Sequence, residues 1–360
     1  MDSRVEDVDA ANLIERLEDE LASFLSRQSE IILAIDPALK SYASSVTDYV
    51  LQGGKRVRPT FAYWAFRGAG GTDSPEVVRA VAALELLQAA ALIHDDLIDD
   101  SDTRRGRPSI HRRFETLHQE SAWYGSARTF GANAAILLGD LCFVWSDEMF
   151  SGSGMELDAI MRARREFDLM RTEVSAGQYL DVLAEVRRDT SVETAIKVAQ
   201  FKAAKYTVEQ PLLIGASLAG ASERLRESYS ALGLALGEAF QLRDDVLGVF
   251  GDPKQTGKPA GDDLREGKHT FLVAKAYAAA SSEQVEQLNA GLGDRALDLD
   301  GVKTLQEILV DTGAMRATEQ RISWLAKQAQ ESLDQARPSL AGDSAAVFSS
   351  LLNAAVSRNW

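Results

Sequence analysis

The sequence predicts an all-α protein, a bundle of roughly ten to thirteen helices. Proline is rare, with 8 residues in 360, and alanine, leucine, glutamate and arginine dominate the composition. Valine, isoleucine and threonine do not alternate with polar residues over any useful length, which argues against half-buried strands. No linker-like stretch interrupts the pattern, so we expect one domain over residues 1–360.

Two long helices carry much of the apolar sequence. The first, Glu76 to Asp100, follows an N-cap signal at Ser74 and Pro75. Between Val77 and Ile93 it is apolar almost all round, interrupted by Arg79, Glu85 and Gln88, so it belongs in the middle of a bundle. The second is predicted from Glu223 to Phe250, and residues 251–267 then form a long charged loop. Near the end of the chain, Ser281 and its third successor, Gln284, have the spacing of a capping box.

The composition excludes several classes of protein. A net charge of −15 is unsuited to general nucleic-acid binding, so phosphates would need local basic groups or metal ions. The single cysteine, Cys142, lies in an apolar run and is expected in the core. Residues 1–20 are acidic and lack a signal pattern, and no uninterrupted apolar run approaches the roughly 18 residues of a membrane span. We therefore expect a cytoplasmic protein without stable membrane insertion.

The first chemical signal is an acidic cluster at the end of the first apolar helix. Five of the eight residues from 95 to 102 are aspartates, although a helix C-terminus already carries partial negative charge. Asp95 and Asp99 are four apart and project from one face. Such carboxylates can hold Mg²⁺, which completes its coordination with water and substrate phosphates. Considered by itself, this motif could instead be an acidic helix end that is exposed to solvent.

Basic residues flank this cluster in the sequence. Arg104 and Arg105 follow it directly, and guanidinium groups suit phosphate oxygens. Upstream, a glycine pair precedes Lys55 and Arg58, which share one face if Lys55 opens a helix. The alternative for Arg104 and Arg105 is simple charge pairing with the aspartates. The alternative for the segment with Lys55 and Arg58 is an ordinary surface turn.

A second aspartate pair, Asp244 and Asp245, ends the other long helix, and a loop rich in glycine, lysine and aspartate follows. Taken alone, these features could be a charged helix end and a flexible surface loop. Those alternatives weaken once both acidic clusters and the basic segments are considered together.

The order of the motifs resembles the trans-isoprenyl diphosphate synthases, or polyprenyl synthetases. The chain carries Gly-Gly-Lys-x-x-Arg-Pro, then Asp-Asp-x-x-Asp with Arg-Arg-Gly, then Gly-Gln-x-x-Asp, then Phe-Gln-x-x-Asp-Asp. Within the family, the pattern is most similar to actinobacterial geranylgeranyl diphosphate synthases. The resemblance implies the isoprenoid-synthase fold, a helical bundle around a central apolar cavity, and a homodimer.

The resemblance also implies an activity. The family condenses isopentenyl diphosphate head to tail with allylic diphosphates (dimethylallyl, geranyl or farnesyl), using about three Mg²⁺ ions per active site. It assigns metal binding to Asp95, Asp96, Asp99, Asp244 and Asp245. It assigns catalytic roles to Asp95, Asp99, Arg104, Lys202, Asp244 and Lys258.

Substrate binding is implied in the same way. Residues matching the isopentenyl diphosphate pocket are Lys55, Arg58, Arg105 and Gln88. Residues matching the grip on the allylic diphosphate are Arg104, Lys202, Lys258 and Lys268. Residues matching positions close to the reacting groups and metals are Gln178, Asp181 and Gln241. Asp262 matches a loop aspartate that supports the metal site.

Two positions depart from the family pattern. Gly248 stands where many members carry a third aspartate, which should cost one oxygen that water or Asp262 could replace. Ala203 stands where a threonine often follows the central Lys202, which removes one hydroxyl. We expect neither to abolish activity.

Product length depends on the helix below Asp95. One helical turn rises about 5.4 Å, similar to one prenyl unit, so side chains just before the motif act as a floor. Ala90 and Ala91 are both small, and Leu87 is about one further turn down. We therefore predict mainly the C20 product, geranylgeranyl diphosphate.

Three other readings compete with this one. A longer-chain polyprenyl diphosphate synthase would differ only in product length. A terpene cyclase usually carries a different second metal motif. A non-catalytic subunit of a prenyl synthase usually lacks the aspartate motifs, and both are present here.

Overall fold

The computed structural model describes residues 12–251 and 261–357. Lys258, one of the predicted diphosphate ligands, lies outside these residues. The all-α prediction is confirmed, because within the described ranges sixteen α-helices are accompanied by a single two-stranded hairpin.

The described residues group into two compact units, and the prediction of one domain stays a prediction. The first unit extends to Tyr63 and resumes over Thr72–Ile160; the second comprises Trp64–Gly71 and the chain from Met161 onward.

Helices of the first unit surround one apolar helix, α4. The elements in chain order are α1 (Leu13–Ile35), a 3₁₀ turn (Pro37–Leu39), α2 (Lys40–Leu51), α3 (Val57–Gly68, which continues into the second unit), α4 (Pro75–Ile98), β1 (Thr103–Arg104), β2 (Arg107–Pro108), α5 (Ile110–Glu120) and α6 (Ala127–Ser151). The Ser74 side chain accepts a hydrogen bond from the N–H of Val77, which confirms the predicted cap. Residues 77–90 are buried almost without interruption, as predicted for a central helix.

The second unit is organised around α10, which packs against the π-helical segment and α15. Its elements are α7 (Leu157–Arg187, which begins in the first unit), α8 (Val192–Val198), a π-helical segment (Ala199–Glu209), α9 (Gln210–Ala219), α10 (Glu223–Phe250), α11 (Asp262–Glu266), α12 (Phe271–Ala279), α13 (Ser282–Gly291), α14 (Leu299–Asp311), α15 (Ala314–Ala336), a 3₁₀ turn (Arg337–Ser339) and α16 (Ser344–Ser357).

Several local predictions can be compared with these elements. The bounds of α10 match the prediction, and the capping box of Ser281 and Gln284 is present. The predicted loop over residues 251–267 is wrong in part, because Asp262–Glu266 forms the short helix α11 between two left-handed glycines. Two other features, the π-helical segment and the hairpin, were not predicted.

Two helices, α4 and α6, are long and apolar enough to cross a membrane by length and composition. The expectation from the sequence concerned uninterrupted apolar runs, and Arg79, Glu85 and Gln88 interrupt the apolar sequence of α4. For α4, 72% of the apolar window is buried inside the protein, which is typical of a core helix. For α6 the buried share is 44%, so much of its apolar surface lies outside the core of this chain.

Candidate active site

The first acidic cluster closes α4. Asp95 and Asp96 lie in its last turn, and Asp99 is the C-cap residue, whose N–H donates to the Asp95 carbonyl at 2.8 Å. Asp95 and Asp99 are half-buried and Asp96 is fully buried. Asp95 and Asp99 therefore share a partly open face, as predicted, whereas Asp96 points into the protein.

The hairpin after α4 sends two adjacent arginines to different partners, because Arg104 ends strand β1 whereas Arg105, with a φ of +53°, lies in the turn. Arg104 faces α4, where its Nε donates to Asp96 Oδ1 at 2.7 Å and its Nη2 lies 3.5 Å from Asp95 Oδ2. Burial disfavours the charged guanidinium, but the Asp96 carboxylate outweighs burial and raises the pKa of Arg104. Arg104 thus orients the carboxylates of the first cluster.

Arg105, at the hairpin tip, faces the glycine pair. Its guanidinium donates to the carbonyls of Gly53 and Gln52. Gly54 has a φ of +138°, and a Cβ there would lie 3.3 Å from Arg105 Nη2 and 3.4 Å from Arg56 Nη1. Arg105 as a residue is exposed, but partial desolvation of its guanidinium, with the nearby positive charges, lowers the pKa of Arg105. An anion beside these guanidinium groups would relieve that cost, so a diphosphate fits here.

Arg56 is a buried residue of this segment that was not predicted from the sequence. It is fully buried, and its Nη1 donates to Glu85 Oε2 at 2.7 Å. The available signal was Glu85, which interrupts the apolar surface of α4 and needs a partner once buried. This ion pair ties the segment that carries Lys55 and Arg58 to α4, one turn before Gln88.

The predicted isopentenyl diphosphate ligands lie near this anchor, with one correction. Helix α3 begins at Val57, so Lys55 does not open a helix and is exposed, whereas Arg58 is half-buried. Among the described residues, Gln88 Oε1 and the Tyr49 hydroxyl are buried without a hydrogen-bond partner. Tyr49 was not predicted; burial, with the nearby Asp96, raises its pKa. Both polar atoms could receive a ligand.

The second acidic cluster lies near the C-terminal end of α10, in the second unit. Asp244 is half-buried, and Asp245 is buried and accepts a hydrogen bond from Gln241 Nε2 at 2.8 Å. Burial, reinforced by the charge of Asp263, raises the pKa of Asp245 to about 7. A bound cation would favour the ionised carboxylate again, so the residues present fit a divalent metal ion.

Lys268 follows α11 and pairs with two carboxylates of that helix. Its Nζ lies 3.0 Å from Asp263 Oδ1 and 2.6 Å from Glu266 Oε2. Burial alone would lower the pKa of Lys268, but the two carboxylates raise it. The ammonium is therefore held in its charged form, which its predicted role as a diphosphate ligand requires.

Lys202 is carried by the π-helical segment, and its Nζ donates to Asp181 Oδ2 on α7 at 2.7 Å. The backbone of the segment approaches its neighbours through glycines. A Cβ at Gly177 would lie 2.9 Å from Lys202 Cα, and a Cβ at Gly237 on α10 would lie 2.9 Å from the carbonyl carbon of Ala204. Both glycines therefore set the position of Lys202, and π-helical turns are frequent at functional sites.

Metal binding here depends on more than protein ligands. Over residues 12–251 and 261–357, no three His, Cys, Asp or Glu side chains are grouped so that they could hold a metal ion by themselves. Mg²⁺ is usually bound by one or two carboxylates plus water and phosphates. The aspartate pairs suit that mode, with a diphosphate supplying further oxygens.

Comparison with known proteins identifies the family. A sequence model of the polyprenyl synthetase family matches residues 40–309. The chain belongs to this family. Geranylfarnesyl diphosphate synthase of Aeropyrum pernix is 32% identical over 85% of this chain and 91% of its own. Geranylgeranyl diphosphate synthase of Mycobacterium tuberculosis is 31% identical over 75% and 73%.

A solved structure gives the same result. Geranylgeranyl pyrophosphate synthase from Corynebacterium glutamicum, complexed with isoprenyl diphosphate and magnesium, is 40% identical, with a TM-score of 0.93 over 96% of this chain and 99% of its own. The predicted family, the all-α isoprenoid-synthase fold and the prenyltransferase class are confirmed.

The two positions that depart from the polyprenyl synthetase pattern, Gly248 and Ala203, have different surroundings in the structure. The carboxylate that faces Gly248 is that of Asp263, and not that of Asp262 as the resemblance had suggested. Ala203 is half-buried in the π-helical segment beside Lys202. The first departure is therefore accompanied by a carboxylate from another helix.

The three positions predicted to limit chain length differ in exposure. Ala91 is half-buried on the same face as Asp95, and Leu87, one turn below Ala91, is buried. Ala90 is fully buried and shares a face with His94, which packs on Gly139 of α6. Ala91 and Leu87 therefore fit the predicted floor of a polyprenyl synthetase better than Ala90 does.

Proposed function

We propose that this protein joins isopentenyl diphosphate to an allylic diphosphate (dimethylallyl, geranyl or farnesyl), with Mg²⁺, to give mainly geranylgeranyl diphosphate. One observation carries the proposal: each of two apolar helices carries, near its C-terminal end, an aspartate pair with a buried carboxylate, and lysine or arginine lies beside it. The Corynebacterium glutamicum relative holds the same classes of ligand, magnesium and an isoprenyl diphosphate.

In the proposed reaction, the allylic C–O bond breaks and pyrophosphate leaves. The double bond of isopentenyl diphosphate attacks the resulting cation, one C–C bond forms, and a proton passes to the departing pyrophosphate. When bound, about three Mg²⁺ ions would neutralise the charge that develops on this leaving group. Asp95, Asp96 and Asp99, together with Asp244 and Asp245, would hold the ions.

The remaining proposed ligands bind the two diphosphates. Lys55, Arg58, Arg105 and Gln88 would hold isopentenyl diphosphate, because the Arg105 guanidinium lies against Gly54, which precedes Lys55 in the chain. Lys202, Lys258 and Lys268 would grip the allylic diphosphate. Apolar residues on α4 would keep water from the cation.

We further propose a homodimer formed through α6. This apolar helix leaves Ile136, Leu137 and Val144 exposed, at 45%, 58% and 61%, and such a patch is typical of an interaction surface. A second copy of the chain is the expected occupant. Leu137→Glu should give a monomer by light scattering, and Ile35→Glu on α1 should not. A wild-type monomer would refute this assembly. A cytoplasmic location is part of the proposal and is tested by cell fractionation.

The activity is tested with purified protein, Mg²⁺, labelled isopentenyl diphosphate and each allylic starter in turn, by sizing the dephosphorylated products. A dominant C20 alcohol supports the proposal. Products of C30 or longer would make the protein a longer-chain synthase. Folded protein that elongates no starter would indicate a non-catalytic subunit.

A further inference from the structure

The buried carboxylate of Glu238 joins three elements of the second unit. Glu238 lies on α10, and only 3% of its side chain is exposed. Its Oε1 accepts a hydrogen bond from Arg321 Nε of α15 at 2.6 Å, and its Oε2 accepts one from Gln200 Nε2 of the π-helical segment at 2.9 Å. A buried carboxylate is costly without such partners, so the three elements are held together at this point.

Gln200 and Glu238 each lie close to residues that are predicted to bind the allylic diphosphate or its metal ions. Gln200 is two residues before Lys202. Glu238, Gln241 and Asp245 are spaced so that they share one face of α10, and Gln241 donates to Asp245 at 2.8 Å. The hydrogen bond between Gln200 and Glu238 therefore ties the segment that carries Lys202 to the face of α10 that carries Asp245.

Helix α15 supplies a second ion pair to the same part of α10. Nη1 and Nη2 of Arg243 lie 2.5 and 2.8 Å from the two carboxylate oxygens of Glu319. The acidic partner is on α15 in this pair, whereas it is on α10 in the pair of Glu238 with Arg321. An exchange of partners would bring like charges together, so the two pairs specify one register between the helices. The family motifs in this sequence end before α15, so the motifs alone give no sign of this contribution.

The placement of Lys202 relative to the second acidic cluster matters for the proposed reaction. Both would hold the same diphosphate, Lys202 through its ammonium group and the cluster through Mg²⁺. Groups that hold one substrate in common must stay correctly placed, and a displacement of about 1 Å can cost about 10²-fold in rate. A link between them should therefore affect binding of the allylic substrate more than binding of isopentenyl diphosphate.

We propose that Glu238 is a positioning residue for the allylic diphosphate site. It holds the Lys202 segment against α10, and Arg321 of α15 supplies the positive charge that stabilises the buried carboxylate. The inference rests on the proposed function for its substrate, whereas the coupling between the two elements can be measured without turnover.

Steady-state kinetics of two variants test the role in substrate binding. Glu238→Leu removes the carboxylate and both hydrogen bonds, and we expect the Michaelis constant for the allylic diphosphate to rise by about tenfold or more. The constant for isopentenyl diphosphate should stay close to that of wild type. Gln200→Leu leaves the ion pair with Arg321 in place and should give the same selective rise. The double variant should be little worse than Glu238→Leu, because both changes remove one link.

A matched control is the ion pair of Glu166 with Arg226, which also lies in the second unit. Arg226 Nη2 lies 2.5 Å from Glu166 Oε1, and the two side chains are 25% and 7% exposed, against 26% and 3% for Arg321 and Glu238. Glu166→Leu should lower the melting temperature as Glu238→Leu does, because each leaves an arginine without its carboxylate. It should leave both Michaelis constants unchanged. A selective rise for both variants, or for neither, would overturn the proposal.

Amide hydrogen exchange of the full-length protein without substrates tests the coupling directly. Exchange in the π-helical segment, Ala199–Glu209, should become faster in Glu238→Leu and in Gln200→Leu, and not in Glu166→Leu. Unchanged exchange in Glu238→Leu would overturn the coupling. Wild-type protein that elongates no allylic starter would instead refute the proposed function, and with it the role in substrate binding, whereas faster exchange would still support the coupling.

Discussion

Arg56 Nη1 lies 2.7 Å from Glu85 Oε2, and both side chains are almost completely buried. The pair links the segment that carries Lys55 and Arg58 to the helix that carries Gln88. Breaking a buried ion pair by removing one partner leaves an uncompensated charge, whereas removing both is often tolerated.

We therefore expect Glu85→Gln to lower the free energy of unfolding by about 3–5 kcal/mol. The Michaelis constant for isopentenyl diphosphate should rise more than that for the allylic substrate, because the displaced segment holds the former. The control is Arg56→Met/Glu85→Leu, which should be more stable than either single variant. Denaturant unfolding and steady-state kinetics measure these effects, and equal rises in both constants would contradict the anchoring role.

The aspartate pairs give a prediction about turnover. Asp95→Asn should lower kcat by about 10²-fold or more at saturating substrates, because it removes charge that is needed only as pyrophosphate leaves. The matched control is Asp102→Asn, which removes an exposed carboxylate from the same acidic run and should leave kcat unchanged. A near-normal kcat for Asp95→Asn would remove this residue from the mechanism.

The close approach at Gly177 predicts a loss of both stability and activity. Gly177→Ala places a methyl group against the Lys202 backbone, and overpacking of this kind costs about 1–3 kcal/mol. Since Lys202 would shift relative to Asp181, kcat should fall as well. Ser175→Ala, at an exposed position on the same helix, should change the melting temperature little. Unchanged unfolding of Gly177→Ala would show that the segment can move without penalty.

Product length should respond differently at two neighbouring alanines. Ala91→Phe should shorten the main product, because residue 91 lies one turn below Asp95 on the partly open face. Ala90→Phe should instead destabilise the fold by about 1–3 kcal/mol, since residue 90 is fully buried against neighbouring helices. Product sizing and thermal unfolding distinguish the two. The same shortened product from both variants would refute this placement of the floor.

Local signals in the chain were sufficient to predict the two long apolar helices and the types of site residue. The cap at Ser74 and the bounds of α10 depend only on neighbouring residues, so they could be derived without tertiary structure. Motif order likewise identified Asp95 and Asp244 as candidate metal ligands, because the spacing within each motif is set by one helix.

Packing between elements decided which residues meet. Arg56 pairs with Glu85 across 29 residues, and Lys202 with Asp181 across 21. Neither sequence separation corresponds to a repeat within one helix or strand, so only the folded chain could show these partners. The same holds for Gly248, because only the folded chain shows that the Asp263 carboxylate of α11 faces this glycine.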